Sequence, residues 1–153
     1  MEIREADYSD IDVITSIYIN HLERKYYREE DISLEEIKSY WKNYIDNYHV
    51  YVAYSDITCV GFCAFKEYEK SIIIDGIYIN KMIKGLNTCF KLVSMVGEYA
   101  YGHRFSSMIA YVDGHESYVK DLYLALGARC DGFCGLNYTY YERLVWDDLS
   151  FFR

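Results

Sequence analysis

The sequence contains no proline, which leaves every turn to Gly, Asn, Asp or Ser. It has no apolar run near the ~20 residues that a membrane span requires, because Lys, Asp, Glu, Arg or Asn interrupts each stretch. No membrane partner is expected, and the acidic start MEIREADYSD does not read as a signal peptide. Positive charge is in deficit: 16 Lys and Arg stand against 24 Asp and Glu, a formal charge of -8. Such a chain repels polyanions, so no nucleic-acid partner is expected. Linkers, low-complexity segments and solenoid repeats are also missing, and residues 1–153 read as one domain. The four histidines, His21, His49, His103 and His115, show no metal-ligand spacing, so no metal is predicted.

What is present suits a globular core. Of 153 residues, 52% are hydrophobic and 26% charged, and 19 are Tyr, a side chain that packs and hydrogen-bonds at once. The five cysteines form an odd set in a chain large enough to fold without staples, which points to reduced thiols in the cytoplasm. Cys59 and Cys63 in CVGFC, and Cys130 and Cys134 in CDGFC, share one spacing. That spacing falls on predicted strands rather than on the tight C-x-x-C knuckle of structural zinc, so all four read as small buried hydrophobes.

Periodicity then orders the elements. A short strand at about Glu2 to Glu5 precedes a helix with Ser9 as N-cap and Ile11, Ile14, Ile17, Tyr18 and Leu22 on its apolar stripe. A second capping pattern, Ser33 with Glu36, opens a helix whose Leu34, Ile37, Trp41, Tyr44 and Ile45 share a face. From His49 the period becomes two: HVYVAY, a Ser55–Asp56 turn, ITCVGFCAFK and SIIIDGIYIN make three antiparallel strands. A helix with Cys89, Val93, Val96 and Ala100 buried follows, ended by Gly102. A strand SSMIAYV, a loop at Asp113 to His115, a helix ESYVKDLYLAL closed by Gly127 and two final strands complete the chain. The predicted fold class is α+β, a mixed, mostly antiparallel sheet of about seven strands flanked by about four helices.

The segment richest in chemistry is a strand, a Gly-containing loop and a helix: IIIDGIYIN, KMIKGLN, TCFKLVSMVGEY. Free amides and the positive end of the helix dipole make such a junction an anion site, and Lys81, Lys84 and Lys91 gather there on an otherwise acidic chain. The plain alternative is a structural connection.

Ordered motifs along nearly the whole chain carry a family likeness. IREADYSDIDVITSIY, VGF at Val60 to Phe62, IYIN before the loop, DLYLALGA at Asp121 to Ala128 and VWDDLSFF at Val145 to Phe152 together resemble the GCN5-related N-acetyltransferase (GNAT) superfamily, within it the phosphinothricin acetyltransferase-like branch. The resemblance implies transfer of an acetyl group from acetyl-CoA to a primary amine of a small molecule or peptide, by direct attack. It places Ile77, Tyr78 and Ile79 beside the pantetheine arm. The phosphate loop falls on Met82 to Asn87, with Lys84, Gly85, Leu86, Asn87 and Thr88 as cofactor-binding positions. The loop departs from the family pattern, with Met82 first and Asn87 in place of a second Gly or Ala.

Tyr123 stands where many members keep the acid that protonates the departing thiolate; the other reading is a packing tyrosine. The base position of the branch, a Glu, aligns with Ile74 here, and the adjacent Asp75 is the candidate. Strand alternation turns Asp75 away from the Ile74 face unless a bulge at Gly76 re-aims it. Glu116 and His115 are in reserve. A cleft lined with acid and Tyr suits a cationic amine. The alternative function is a catalytically impaired GNAT-fold protein acting as a binding or regulatory module. The aromatic tail offers Trp146, Phe151 and Phe152 either as a homodimer surface or as the last piece of the core.

Overall fold

The computed structural model describes residues 1–25, 33–82, 85–113, 117–136 and 139–153. Among these residues seven strands and four α-helices follow in the order β1 (Glu2–Glu5), α1 (Ile11–Lys25), α2 (Leu34–Asn47), β2 (His49–Ser55), β3 (Thr58–Tyr68), β4 (Ser71–Ile79), α3 (Leu86–Gly102), β5 (Ser107–Asp113), α4 (Ser117–Ala125), β6 (Arg129–Leu136) and β7 (Thr139–Trp146). A 3-10 turn at Tyr8–Asp10 leads into α1, and another, Leu149–Phe152, ends the chain. No helix among the described residues is long and apolar enough to cross a membrane.

The strands form one sheet in the order β1-β2-β3-β4-β5-β7-β6. Each neighbouring pair is antiparallel except β4 and β5, which run parallel. Parallel neighbours need a long return path, and α3 supplies it.

Each face of the sheet carries its own core. On one side Ile72, Ile74, Leu92, Val96, Met108, Leu126, Leu144 and Trp146 pack beneath α3 and α4. On the other Ile14, Ile17, Ile37, Trp41, Val52, Phe62 and Ala64 pack beneath α1 and α2. The apolar stripes read from the sequence supply these contacts, with one exception: Leu34, assigned to the buried face of α2, is 51% exposed in the first turn.

Helix ends show where local chemistry outruns pattern. Ser33 caps α2 as expected, its hydroxyl accepting from the Glu36 amide at 3.1 Å. Ser9 does not cap α1. Asp7 does the capping, accepting from the Ser9 amide at 2.8 Å while its own amide donates to Asp10 at 2.9 Å. Gly102 is the last helical residue of α3, and the left-handed position falls on Arg104, with φ 63. Gly127, φ 102, closes α4 as the pattern requires.

The tail completes the core rather than offering a broad surface. Trp146 and Phe152 are buried, and only Phe151 of the three tail aromatics is exposed. The cysteines divide in the same way. Cys59, Cys63 and Cys89 are buried, but Cys130 and Cys134, expected inside, lie exposed on β6 at the sheet edge.

Candidate active site

β4 and β5 pair only from Ser71 with Ser107 to Ile74 with Ala110. Beyond Ile74 the two strands part, for a reason visible in the register of β3 with β4. Ala64 pairs with Gly76 and Phe65 with Ile74, which leaves Asp75 as the extra residue of a β-bulge. A bulge bends and over-twists its strand. Before it, Ile72 and Ile74 face the α3 core; after it, Ile77 and Ile79 do, and Tyr78 joins the α1–α2 core. A bulge is present, one residue before Gly76, but Asp75 keeps the face opposite Ile74 that alternation assigns to it. Tyr111 to Asp113 of β5 meanwhile pair with Arg143 to Tyr141 of β7. From Asp75 to Ile79, β4 therefore has a strand partner on one edge only among the described residues.

A cavity of about 210 Å³ fills the wedge. β4 contributes Ile74 to Tyr78, β5 contributes Tyr111 and Asp113, and α4 contributes Val119 and Tyr123. Tyr18, His21 and Leu22 of α1 and Tyr141 of β7 close it. Its α1 side is aromatic: the Tyr78 ring stacks on Phe62 at 4.9 Å and meets Tyr18 and His21 edge-on at 5.3 and 4.9 Å. Gly76 makes room for this arrangement, since a Cβ there would lie 2.5 Å from the Tyr78 hydroxyl oxygen.

Asp75 sits at the mouth of the wedge with its side chain 31% exposed. Its Oδ2 accepts from the Tyr44 hydroxyl at 2.5 Å and lies 3.5 Å from Lys66 Nζ. Burial pushes the Tyr44 phenol well above its usual pKa, and the Asp75 carboxylate adds to the effect, so Tyr44 is the donor throughout the working pH range. Tyr123, the expected acid, is 3% exposed in the cavity wall, its ring edge-on to Trp146 at 5.2 Å. Its carbonyl accepts the amides of Leu126 and Ala128, which ties the residue to the closing turn of α4.

At the loop, Gly85 takes the N-cap position of α3, and no side chain caps it. A Cβ on Gly85 would lie 2.5 Å from Ile79 Cγ2, so glycine is what lets the helix start close against β4. Leu86 and Asn87 are exposed in the first turn, while Thr88 is buried, its methyl 3.4 Å from the place a Cβ on Gly61 would take. Uncapped first-turn amides beside a strand with an unpaired edge fit a phosphate-bearing, extended thioester such as acetyl-CoA. Lys84, Glu116 and His115 lie outside the described residues.

Asp113, Tyr18, His21 and Tyr141 also line the cavity, although the sequence marks Tyr18 only as part of an apolar stripe, His21 only as a histidine without metal spacing and Tyr141 not at all. Asp113 ends an apolar strand and was assigned to the following loop; it is 4% exposed at the end of β5. An acidic residue closing an otherwise apolar strand was the available signal.

No protein-family model matches the sequence, and no curated protein matches it either. Solved structures do match, over almost the whole chain. Ribosomal-protein-alanine N-acetyltransferase from Brucella melitensis superposes with a TM-score of 0.80 at 18% identity, covering 96% of this chain and 99% of that one. An N-acetyltransferase from Staphylococcus aureus Mu50 gives 0.82 at 16% identity, covering 95% and 97%. A GNAT-superfamily phosphinothricin acetyltransferase from Sinorhizobium meliloti, solved in complex with acetyl-CoA, gives 0.78 at 19% identity, covering 95% and 86%. The chain has the GNAT fold.

Proposed function

We propose that the protein is an acetyl-CoA-dependent N-acetyltransferase that acts on a primary amine of a small molecule or peptide. The observation that carries this reading is the parting of β4 from β5 after Ile74 and Ala110, with the cavity opening beside the unpaired edge of β4. An extended amide-bearing arm can add to that edge along Ile77, Tyr78 and Ile79 as a further strand would. Its diphosphate then falls to the amides behind Gly85, those of Leu86, Asn87 and Thr88.

In the wedge the amine nitrogen attacks the thioester carbonyl carbon and gives one proton to the Asp75 carboxylate. The carbon–sulfur bond breaks, and the thiolate takes a proton from the Tyr123 hydroxyl. Solvent returns the proton from Asp75 to Tyr123, so the sum is amine plus thioester giving amide plus thiol. Glu116 is the second candidate for the base. A thiol of pKa ~8.5 leaves moderately well unaided, so placing a neutral amine against the carbonyl is the larger share of the task. The aromatic wall of Tyr18, His21 and Tyr78 supports an acceptor that approaches as a cation.

The same reading places the enzyme in the cytoplasm, which the free state of all five cysteines supports. A homodimer is supported by Phe133 and Tyr140, 71% and 75% exposed on the edge hairpin of the sheet, and sedimentation equilibrium tests it.

Calorimetric titration with acetyl-CoA, followed by release of free thiol with a panel of primary amines, tests the function. Binding in the range of about 1 µM to 1 mM with amine-dependent thiol release is expected. No heat with millimolar ligand would transfer the protein to the class of binding modules.

A further inference from the structure

Two side chains hold Asp75, and both hold the same oxygen. Tyr44 donates to Oδ2 from α2, and Lys66 reaches Oδ2 from β3, while no described residue bonds Oδ1. Tyr44 is 3% exposed, so the contact has a buried donor, while the carboxylate that accepts from it is 31% exposed. Alternation from Ile72 and Ile74, which face the α3 core, puts Asp75 on the α2 face beside Tyr44, and the bulge flips the residues after it, so that Ile77 and Ile79 face the α3 core again. The result is a carboxylate anchored on one oxygen at the rim of the cavity, with the other oxygen uncommitted.

We propose that Tyr44 is a positioning residue for the transfer reaction: its hydroxyl fixes the Asp75 carboxylate at the cavity rim, leaving Oδ1 to accept the proton of the amine. Lys66 assists by charge alone, because at 3.5 Å from a partly exposed stem it steers less than it attracts. This inference rests on Asp75 as the base of the reaction proposed above.

The test is steady-state thiol release from acetyl-CoA with whichever panel amine is accepted, beside calorimetric binding of acetyl-CoA. Tyr44→Phe, which keeps the ring and leaves no cavity, is expected to lower kcat about tenfold while the KM and the affinity for acetyl-CoA stay unchanged. Lys66→Met, at a half-exposed site, is expected to lower kcat less, and Lys66→Arg to restore it. Once Asp75→Asn has removed the carboxylate, adding Tyr44→Phe is expected to cost nothing more, because the hydroxyl then has no base to place. Losses of Tyr44→Phe and Asp75→Asn that multiply in the double variant overturn the proposal, as does a Tyr44→Phe variant that loses kcat and acetyl-CoA affinity equally. Wild-type kcat/KM in Asp75→Asn is a different result, for it removes Asp75 as base and leaves the acetyl-CoA assignment to the binding experiment.

Discussion

Ile74 of β4 and Ala110 of β5 are the last residues at which this parallel pair of strands stays joined. The divergence costs each strand the hydrogen bonds its continuation would have made. Beyond that point β5 stays paired with β7 and β4 with β3, and among the described residues each has an open edge facing the wedge, that of β4 running from Asp75 to Ile79. Buried backbone groups demand partners, and an open edge in the floor of a cavity is therefore a place where a ligand replaces the missing strand.

The junction of β4 with α3 is the first place to test that idea. Gly85 sits so close to Ile79 that a Cβ would stand 2.5 Å from Cγ2 and 2.9 Å from Cγ1. Gly85→Ala should push the start of α3 off the strand, destabilise the fold by about 1–3 kcal/mol and raise the KM for acetyl-CoA about tenfold or more. Because the obstacle is the branched side chain, adding Ile79→Ala should restore most of the affinity. A double variant as weak as Gly85→Ala would mean that the Cβ blocks the ligand itself.

Tyr123 separates chemistry from packing. It is buried against Trp146 and lines the cavity, so both readings offered by its place in DLYLALGA survive in one residue. Tyr123→Phe keeps the ring contact. If the hydroxyl protonates the departing sulfur, kcat falls about a hundredfold with little change in the KM for acetyl-CoA. Poor leaving groups should feel the loss most, so an acyl-CoA analogue with a more acidic thiol should be rescued. Equal losses in kcat and affinity would assign Tyr123 to packing.

The sequence made the sheet, its helices and Tyr123 readable because each depends on period or on a short motif: apolar alternation in His49 to Tyr54, helical spacing from Ile37 to Tyr44, and LYLALGA around Tyr123. The wedge was only half readable. Asp75 stood out as a charge within an apolar strand, yet whether it met the cavity depended on where β3 and β4 slip by one residue, a property of two strands together. Tyr44 looked like any member of a buried helical stripe, because nothing in its own segment shows that a carboxylate from β4 will end beside it. Asp113 and His21 are likewise brought together by the closure of α1 and β5 over one cavity. Cys130 and Cys134 misled for the opposite reason: alternation marks a strand but does not say that it lies at the sheet edge.

Stability should depend on acid through Asp10, a carboxylate at the start of α1 whose side chain is 1% exposed. Burial pushes its pKa up. Arg4 at 2.8 and 2.9 Å, the Asp7 amide at 2.9 Å and the Tyr54 hydroxyl at 2.7 Å outweigh that cost and hold the carboxyl below the usual range. A carboxyl whose folded pKa is depressed contributes fully above its unfolded value of about 3.9, and the contribution is lost as pH falls through the lower folded value. Asp10→Asn keeps the size of the side chain but strips the charge from a buried group that ties β1, the first turn and β2 together. It should cost about 2–4 kcal/mol at neutral pH, because Arg4 loses its partner and one acceptor oxygen becomes a donor. In urea unfolding followed from about pH 6 down to about pH 2.5, the gap between variant and wild type should narrow as Asp10 takes up its proton. A gap of constant size across that interval would show that Asp10 acts through shape and hydrogen bonding alone, and that its charge adds nothing to the fold.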